Sequence, residues 1–102
     1  MYGASIDIQA IQSELSGDEA LLVDVRTEME FNMGHAKDAL NFDLEHIMNG
    51  DAPTSDTTTK LYLYCNSGSR SGVAAQILSS KGFDVVNIGG LAQWNAAGGP
   101  VE

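Results

Sequence analysis

The chain has 102 residues, 43% of them apolar and 19% charged, which suits one folded domain spanning 1–102 and argues against disorder. Fourteen acids against five bases give a formal net charge of −9, so neither nucleic acid nor an anionic membrane is an expected partner. The single cysteine, Cys65, excludes an internal disulfide and a multi-cysteine zinc site.

No apolar run approaches the roughly 18 residues of a membrane span. Met1-Tyr2-Gly3-Ala4-Ser5 has neither a basic region nor an apolar stretch, so no signal peptide is expected there. A cytoplasmic location follows, with a periplasmic one as the alternative for a trimmed mature form.

In chain order, Asp7 is an N-cap for a short helix near Ile8–Leu15, with Ile8, Ile11 and Leu15 on one face. Ala20–Val25 is a continuous apolar run broken only by Asp24 and reads as a buried strand of parallel type. Thr27 and Glu30 have capping-box spacing, which predicts a helix of one to two turns ending near Gly34. Ala39–Phe42 reads as a short strand, and Asp43 caps a helix over Leu44–Met48 that Asn49-Gly50 ends. Residues 50–59 are polar and read as a surface loop.

Lys60–Cys65 is the strongest strand signal in the chain. A helix is predicted from about Arg70 to Lys81, with Val73, Ala74, Ile77 and Leu78 as its apolar stripe and Gly82 as its stop. Asp84–Ile88 is a further strand. Gly89-Gly90 leads into a last helix containing Leu91 and Trp94, closed by Gly98-Gly99-Pro100. Strands alternating with helices predict an α/β layer structure with a mainly parallel sheet.

Chemistry concentrates at the end of the Lys60–Cys65 strand. Ligands of open α/β sheets bind off the carboxyl ends of strands, and a helix N-terminus there offers free amides and partial positive charge. Both favour a thiolate, so Cys65 is expected to be a nucleophile of depressed pKa. A free cysteine is more often simply buried, but a structural one belongs inside a strand. Cys65 instead abuts Asn66-Ser67-Gly68-Ser69-Arg70-Ser71, small residues whose amides can curl into an anion nest. Arg70 can add a fork of donors.

Cys65-Asn66-Ser67-Gly68-Ser69-Arg70-Ser71 after an apolar strand resembles the active-site loop of the rhodaneses, the thiosulfate sulfurtransferases. Asp24-Val25-Arg26, Glu30-Phe31, Gly34-His35, Ala39 and Asn41 resemble that family's first characteristic stretch. Gly89-Gly90-Leu91, Trp94 and Gly98-Gly99-Pro100-Val101 resemble its closing stretch. Asp38-Ala39-Leu40-Asn41-Phe42-Asp43 departs from the family pattern at a structural turn. Length and acidity are similar to single-domain bacterial rhodaneses, including the small phage-shock type.

The resemblance implies a single rhodanese-like domain, its parallel sheet flanked by helices on both faces. It also implies a two-step transfer. The Cys65 thiolate takes the outer sulfur of a small anionic donor such as thiosulfate, and the persulfide passes it to a thiophilic acceptor: cyanide, a thiol or a thiol-carrying protein. Residues 66–71 are then the substrate-binding loop, with Arg70 orienting it or meeting the donor's sulfonate. No cofactor, no metal and a monomeric chain are expected.

Asp24 and Arg26 are read as structural, an acid at a strand end and a basic partner near Glu30 whose ion-pair network fixes the next helix. His35 is read as a packed, hydrogen-bonded histidine, His46 as a solvated one and Trp94 as a core anchor. Two rival functions remain. A cysteine phosphatase or arsenate reductase would place one residue more between Cys and Arg than the four found here, Asn66–Ser69. A persulfide carrier or regulatory module would keep Cys65 but receive its sulfur ready-made.

Overall fold

The computed structural model describes residues 6–102. The N-terminal stretch 1–5, on which the absence of a signal peptide was argued, lies outside the described residues.

Nine elements follow one another: α1 (Ile8–Ser16), β1 (Ala20–Asp24), α2 (Glu28–Asn32), β2 (Leu40–Asn41), α3 (Leu44–Met48), β3 (Lys60–Cys65), α4 (Ser69–Ser80), β4 (Val85–Gly90) and α5 (Leu91–Ala96). The four strands form one parallel sheet in the order β2-β1-β3-β4. All the carboxyl ends therefore open on one edge.

β3 lies between β1 and β4, and the period-two geometry of a strand sends its side chains to opposite layers. Leu61, Leu63 and Cys65 join Val23, Val25, Ile47, Ala74 and Leu78, so α3 and α4 cover that face. Tyr62 and Tyr64 join Ile11, Leu22, Ile88 and Trp94 under α1 and α5. A strand covered on both faces must be apolar throughout, which is why β3 reads as an unbroken run.

The caps form as their spacing predicts. Asp7 accepts from the Ala10 amide at 3.1 Å and Asp43 from the Glu45 amide at 3.2 Å. The Thr27 hydroxyl accepts from the Glu30 amide at 3.3 Å, and the Glu30 carboxylate accepts from the Thr27 amide at 3.0 Å. β2 is shorter than expected and β4 longer. β4 continues through Gly89 and Gly90, which pair with Tyr64 and Cys65 after a bulge that skips Ile88.

One side-chain assignment is corrected. Val73 does not belong to the buried stripe of α4; it is 44% exposed. The inward positions are Ser71, Ala74 and Leu78, with Ile77 packed at the margin. Steps of three and four residues from Ser71 keep one helical face, and Val73 falls off it. A serine, not a valine, heads the stripe. Among the described residues no helix is long and apolar enough to cross a membrane.

Candidate active site

Cys65 closes β3 and is fully buried. Gly68 turns the chain with φ of +95°, a conformation that side chains disfavour, and so starts α4 directly beside the sulfur. Three donors converge on Cys65 Sγ: the Gly68 amide at 3.0 Å, the Ser71 amide at 3.5 Å and the Ser71 hydroxyl at 3.4 Å. Burial pushes the thiol up, but the Ser71 hydroxyl and the amides of Ser71, Gly68 and Ser67 outweigh it, and Cys65 settles below its ordinary value. The cover is thin. Asn66, Ser67 and Ser69 are exposed, while Cys65, Gly68 and Ser71 are buried.

The loop is braced from two sides. On one side the Arg70 fork donates to both Glu30 oxygens, at 2.7 and 2.9 Å. The Asn66 amide group donates to the same carboxylate at 2.8 Å, while its oxygen accepts from Arg26 at 3.1 Å. The Arg70 guanidinium holds the Glu30 carboxyl far below the usual carboxylate range, against the opposing effect of burial and with help from Thr27. On the other side Asn87 of β4 accepts from the Ser71 hydroxyl at 2.7 Å and donates to the Gly68 carbonyl at 3.1 Å. Gly90 completes this wall. A Cβ there would lie 2.0 Å from the Asn66 carbonyl oxygen, so no other residue fits without moving the loop.

Beneath the loop lies a buried polar frame. Arg26 reaches both Asp24 oxygens, at 2.7–3.0 Å, and the Gly34 carbonyl at 2.7 Å. The Tyr64 hydroxyl donates to Asp24 at 2.7 Å and accepts from the Ala36 amide at 3.0 Å. Burial raises the Tyr64 phenol well above its ordinary value, and the Asp24 contact adds to this. Asn41 donates to the carbonyls of Asp24 and Arg26, at 3.2 and 2.9 Å, and fixes the end of β1.

The residues expected at the site are thus brought together in unequal ways. Gly68 and Ser71 touch the sulfur directly. Asn66 and Arg70 brace the loop. Ser67 and Ser69 hydroxyls lie 3.2 Å from each other on its outer side. The expected pairing of Asp24 with Arg26 forms, while Glu30 beside it takes Arg70. A carboxylate two residues away on the same strand end reaches Arg26 without crossing the loop, so the nearer partner wins. His35 stacks on Phe31 at 3.7 Å and contacts its carbonyl at 2.9 Å. His46 is exposed, and Trp94 is buried with its indole donating to Pro100 at 2.8 Å. Asn87 and Gly90 were not singled out as site residues. A lone amide side chain within Val85–Ile88 was the available signal for Asn87.

Among the described residues no group of three or more His, Cys, Asp or Glu side chains is placed to hold a metal ion. A groove of about 220 Å³ lies in the other layer, lined by residues such as Leu15, Leu22, Lys37 and Trp94, and contains none of the groups around Cys65.

This geometry has relatives. Residues 7–97 match the family described as the Rhodanese-like domain. The chain belongs to the rhodanese-like family. An uncharacterized Synechocystis protein is 36% identical over 94 residues, 90% of this chain but 52% of that protein; the chain spans about half of it. A Vibrio cholerae protein named thiosulfate sulfurtransferase GlpE is 30% identical over 99 residues, 95% of this chain and 92% of that one. Among solved structures, the Alr3790 protein of Anabaena superposes with a TM-score of 0.78 at 29% identity, covering 95% of this chain and 79% of that one. The superposition extends the likeness to the fold, and a relative named a sulfurtransferase is among those matched.

Proposed function

We propose that this protein transfers a sulfane sulfur from thiosulfate, or a similar small anionic donor, through a Cys65 persulfide to a thiophilic acceptor. The observation that carries this reading is the convergence of two amides and a hydroxyl on Cys65 Sγ. These donors favour sulfur as an anion, so no neighbouring general base is needed.

In the first step the Cys65 thiolate attacks the outer sulfur of the donor. The donor's sulfur–sulfur bond breaks, sulfite leaves with the electron pair, and Cys65 carries a persulfide. In the second step the acceptor, a cyanide ion or a thiolate, attacks that outer sulfur. It departs as thiocyanate or a new persulfide, and the thiolate returns. Preorganised amides hold the negative charge in both states, as an oxyanion hole does. Arg70 acts here through the loop: its fork is occupied by Glu30, so its first task is to hold Asn66–Ser69 in place.

Intact-mass measurement after incubation with thiosulfate tests the reading. One adduct of about one sulfur atom's mass on the single cysteine is expected, absent in Cys65→Ser. Thiosulfate:cyanide turnover should be lost in the same variant. An adduct with a persulfide donor but none with thiosulfate would point to a carrier. Turnover of an aryl phosphate without sulfur transfer would reverse the assignment.

A further inference from the structure

The Ser71 hydroxyl has one proton and three acceptors within reach. Asn87 Oδ1 is at 2.7 Å, Cys65 Sγ at 3.4 Å and the Gly89 carbonyl at 3.4 Å. Ser71 is fully buried, so no solvent completes the set. Asn87 is fixed in turn: its oxygen accepts from the Gly89 amide at 3.0 Å and its nitrogen donates to Gly68 O at 3.1 Å. Asn87 pairs opposite Leu63, just before the bulge that skips Ile88, on the layer that holds Cys65 and α4.

We infer that Asn87 is a positioning residue for Cys65: it competes with Sγ for the single proton of the Ser71 hydroxyl and so sets how tightly the resting sulfur is held as an anion. When Sγ is a thiolate, the hydroxyl must turn toward it and give up its short bond to Asn87. When Sγ is neutral, as a thiol or as the inner atom of a persulfide, the hydroxyl turns back. Asn87 therefore favours the loaded state over the resting one, with only a hydroxyl rotation between them. This role rests on the sulfur-transfer reading for its purpose, but its test reads the thiol alone.

Ionisable groups near the pair are few. α4 contributes Arg70, tied to Glu30 of α2. β1 contributes Asp24 with Arg26, paired to each other. α3 turns buried Ile47 inward and leaves Glu45 and His46 exposed, and β4 has no ionisable side chain. Substitutions at Ser71 and Asn87 leave all of them in place.

The experiment is the pH profile of iodoacetamide alkylation, unambiguous in a protein with one cysteine, for Ser71→Ala, Asn87→Ala and the double variant. Ser71→Ala should raise the apparent Cys65 pKa. Asn87→Ala should lower it by about half a unit to one unit, because the hydroxyl is released to the sulfur. In the Ser71→Ala background, Asn87→Ala should leave it unmoved. A rise on Asn87→Ala, or an equal shift in both backgrounds, would make Asn87 a mere brace. If circular dichroism shows Asn87→Ala unfolded, Asn87→Asp decides. Its added charge raises the pKa in both backgrounds, and the rise must be larger where Ser71 is present; equal rises overturn the inference. Failure of thiosulfate to load Cys65 would sink sulfur transfer while leaving this coupling measurable.

Discussion

Both arginines of the chain grip a carboxylate through a fork, yet the two pairs do different work. Arg26 and Asp24 are 6% and 0% exposed at the side chain; Arg70 and Glu30 are 36% and 28% exposed. Depth makes the first pair a frame: removing either partner strands a charge in a site that also orders Tyr64, Asn41 and Gly34. Exposure makes the second a clamp on the loop, weakly coupled to stability and directly coupled to the sulfur's surroundings. Sequence position alone does not separate the two, because each arginine follows a strand's carboxyl end by a few residues.

The comparison breaks most sharply at the buried pair. Arg26→Ala should cost about 3–5 kcal/mol, since it leaves Asp24 uncompensated in the interior. Urea unfolding monitored by circular dichroism measures this, and a loss near that of a surface substitution would mean Asp24 finds another partner. Arg70→Ala should cost about 1 kcal/mol or less, as half-exposed pairs do. Its larger effect should be kinetic, a several-fold rise in KM for thiosulfate. Glu30→Gln should lower that KM, because it releases a cation beside the loop. If both variants move KM upward, the pair serves only as a brace.

A smaller effect separates the pairs by pH. Glu30 has a folded-state pKa depressed below its ordinary value of about 4.5. Its contribution is therefore complete above that value and is lost as pH falls below it. Glu30→Gln should flatten the acid limb of the stability curve by about 1 kcal/mol or less, given the solvent around the pair. An unchanged slope in urea titrations from neutral pH down to pH ~3 would show that Glu30 binds Arg70 equally in the unfolded chain. The smallest effect is that of salt. A dianion meets a chain of net charge −9, and screening acts over about 8 Å at physiological ionic strength. Thiosulfate kcat/KM should rise with inert salt; a falling profile would mean that the local amides and Arg70 dominate the encounter.

Much of this was legible in the residues. The order of strands and helices, the caps at Asp7, Thr27 and Asp43, and the placing of Cys65 at a strand end all depend on local patterns within a few positions. Asn87 and Gly90 did not, because their meaning comes from β3 pairing with β4 more than twenty residues apart in sequence. The Asp24–Arg26 pair was legible because its partners stand two residues apart, whereas the grip of Arg70 on Glu30 spans forty residues and was not. Val73 failed differently: apolarity suggested burial, while the helical period gives the inward place to Ser71, whose hydroxyl the sulfur uses.

Gly90 carries a consequence for how the protein matures. The Asn66 carbonyl rests against its bare α-carbon, and Asn87 grips the Gly68 carbonyl. The cage around the sulfur is thus built jointly by the loop and by a strand that leaves the ribosome some twenty residues later. The donors to the sulfur come from the loop and α4, but the shape that aims them is closed only when β4 joins the sheet.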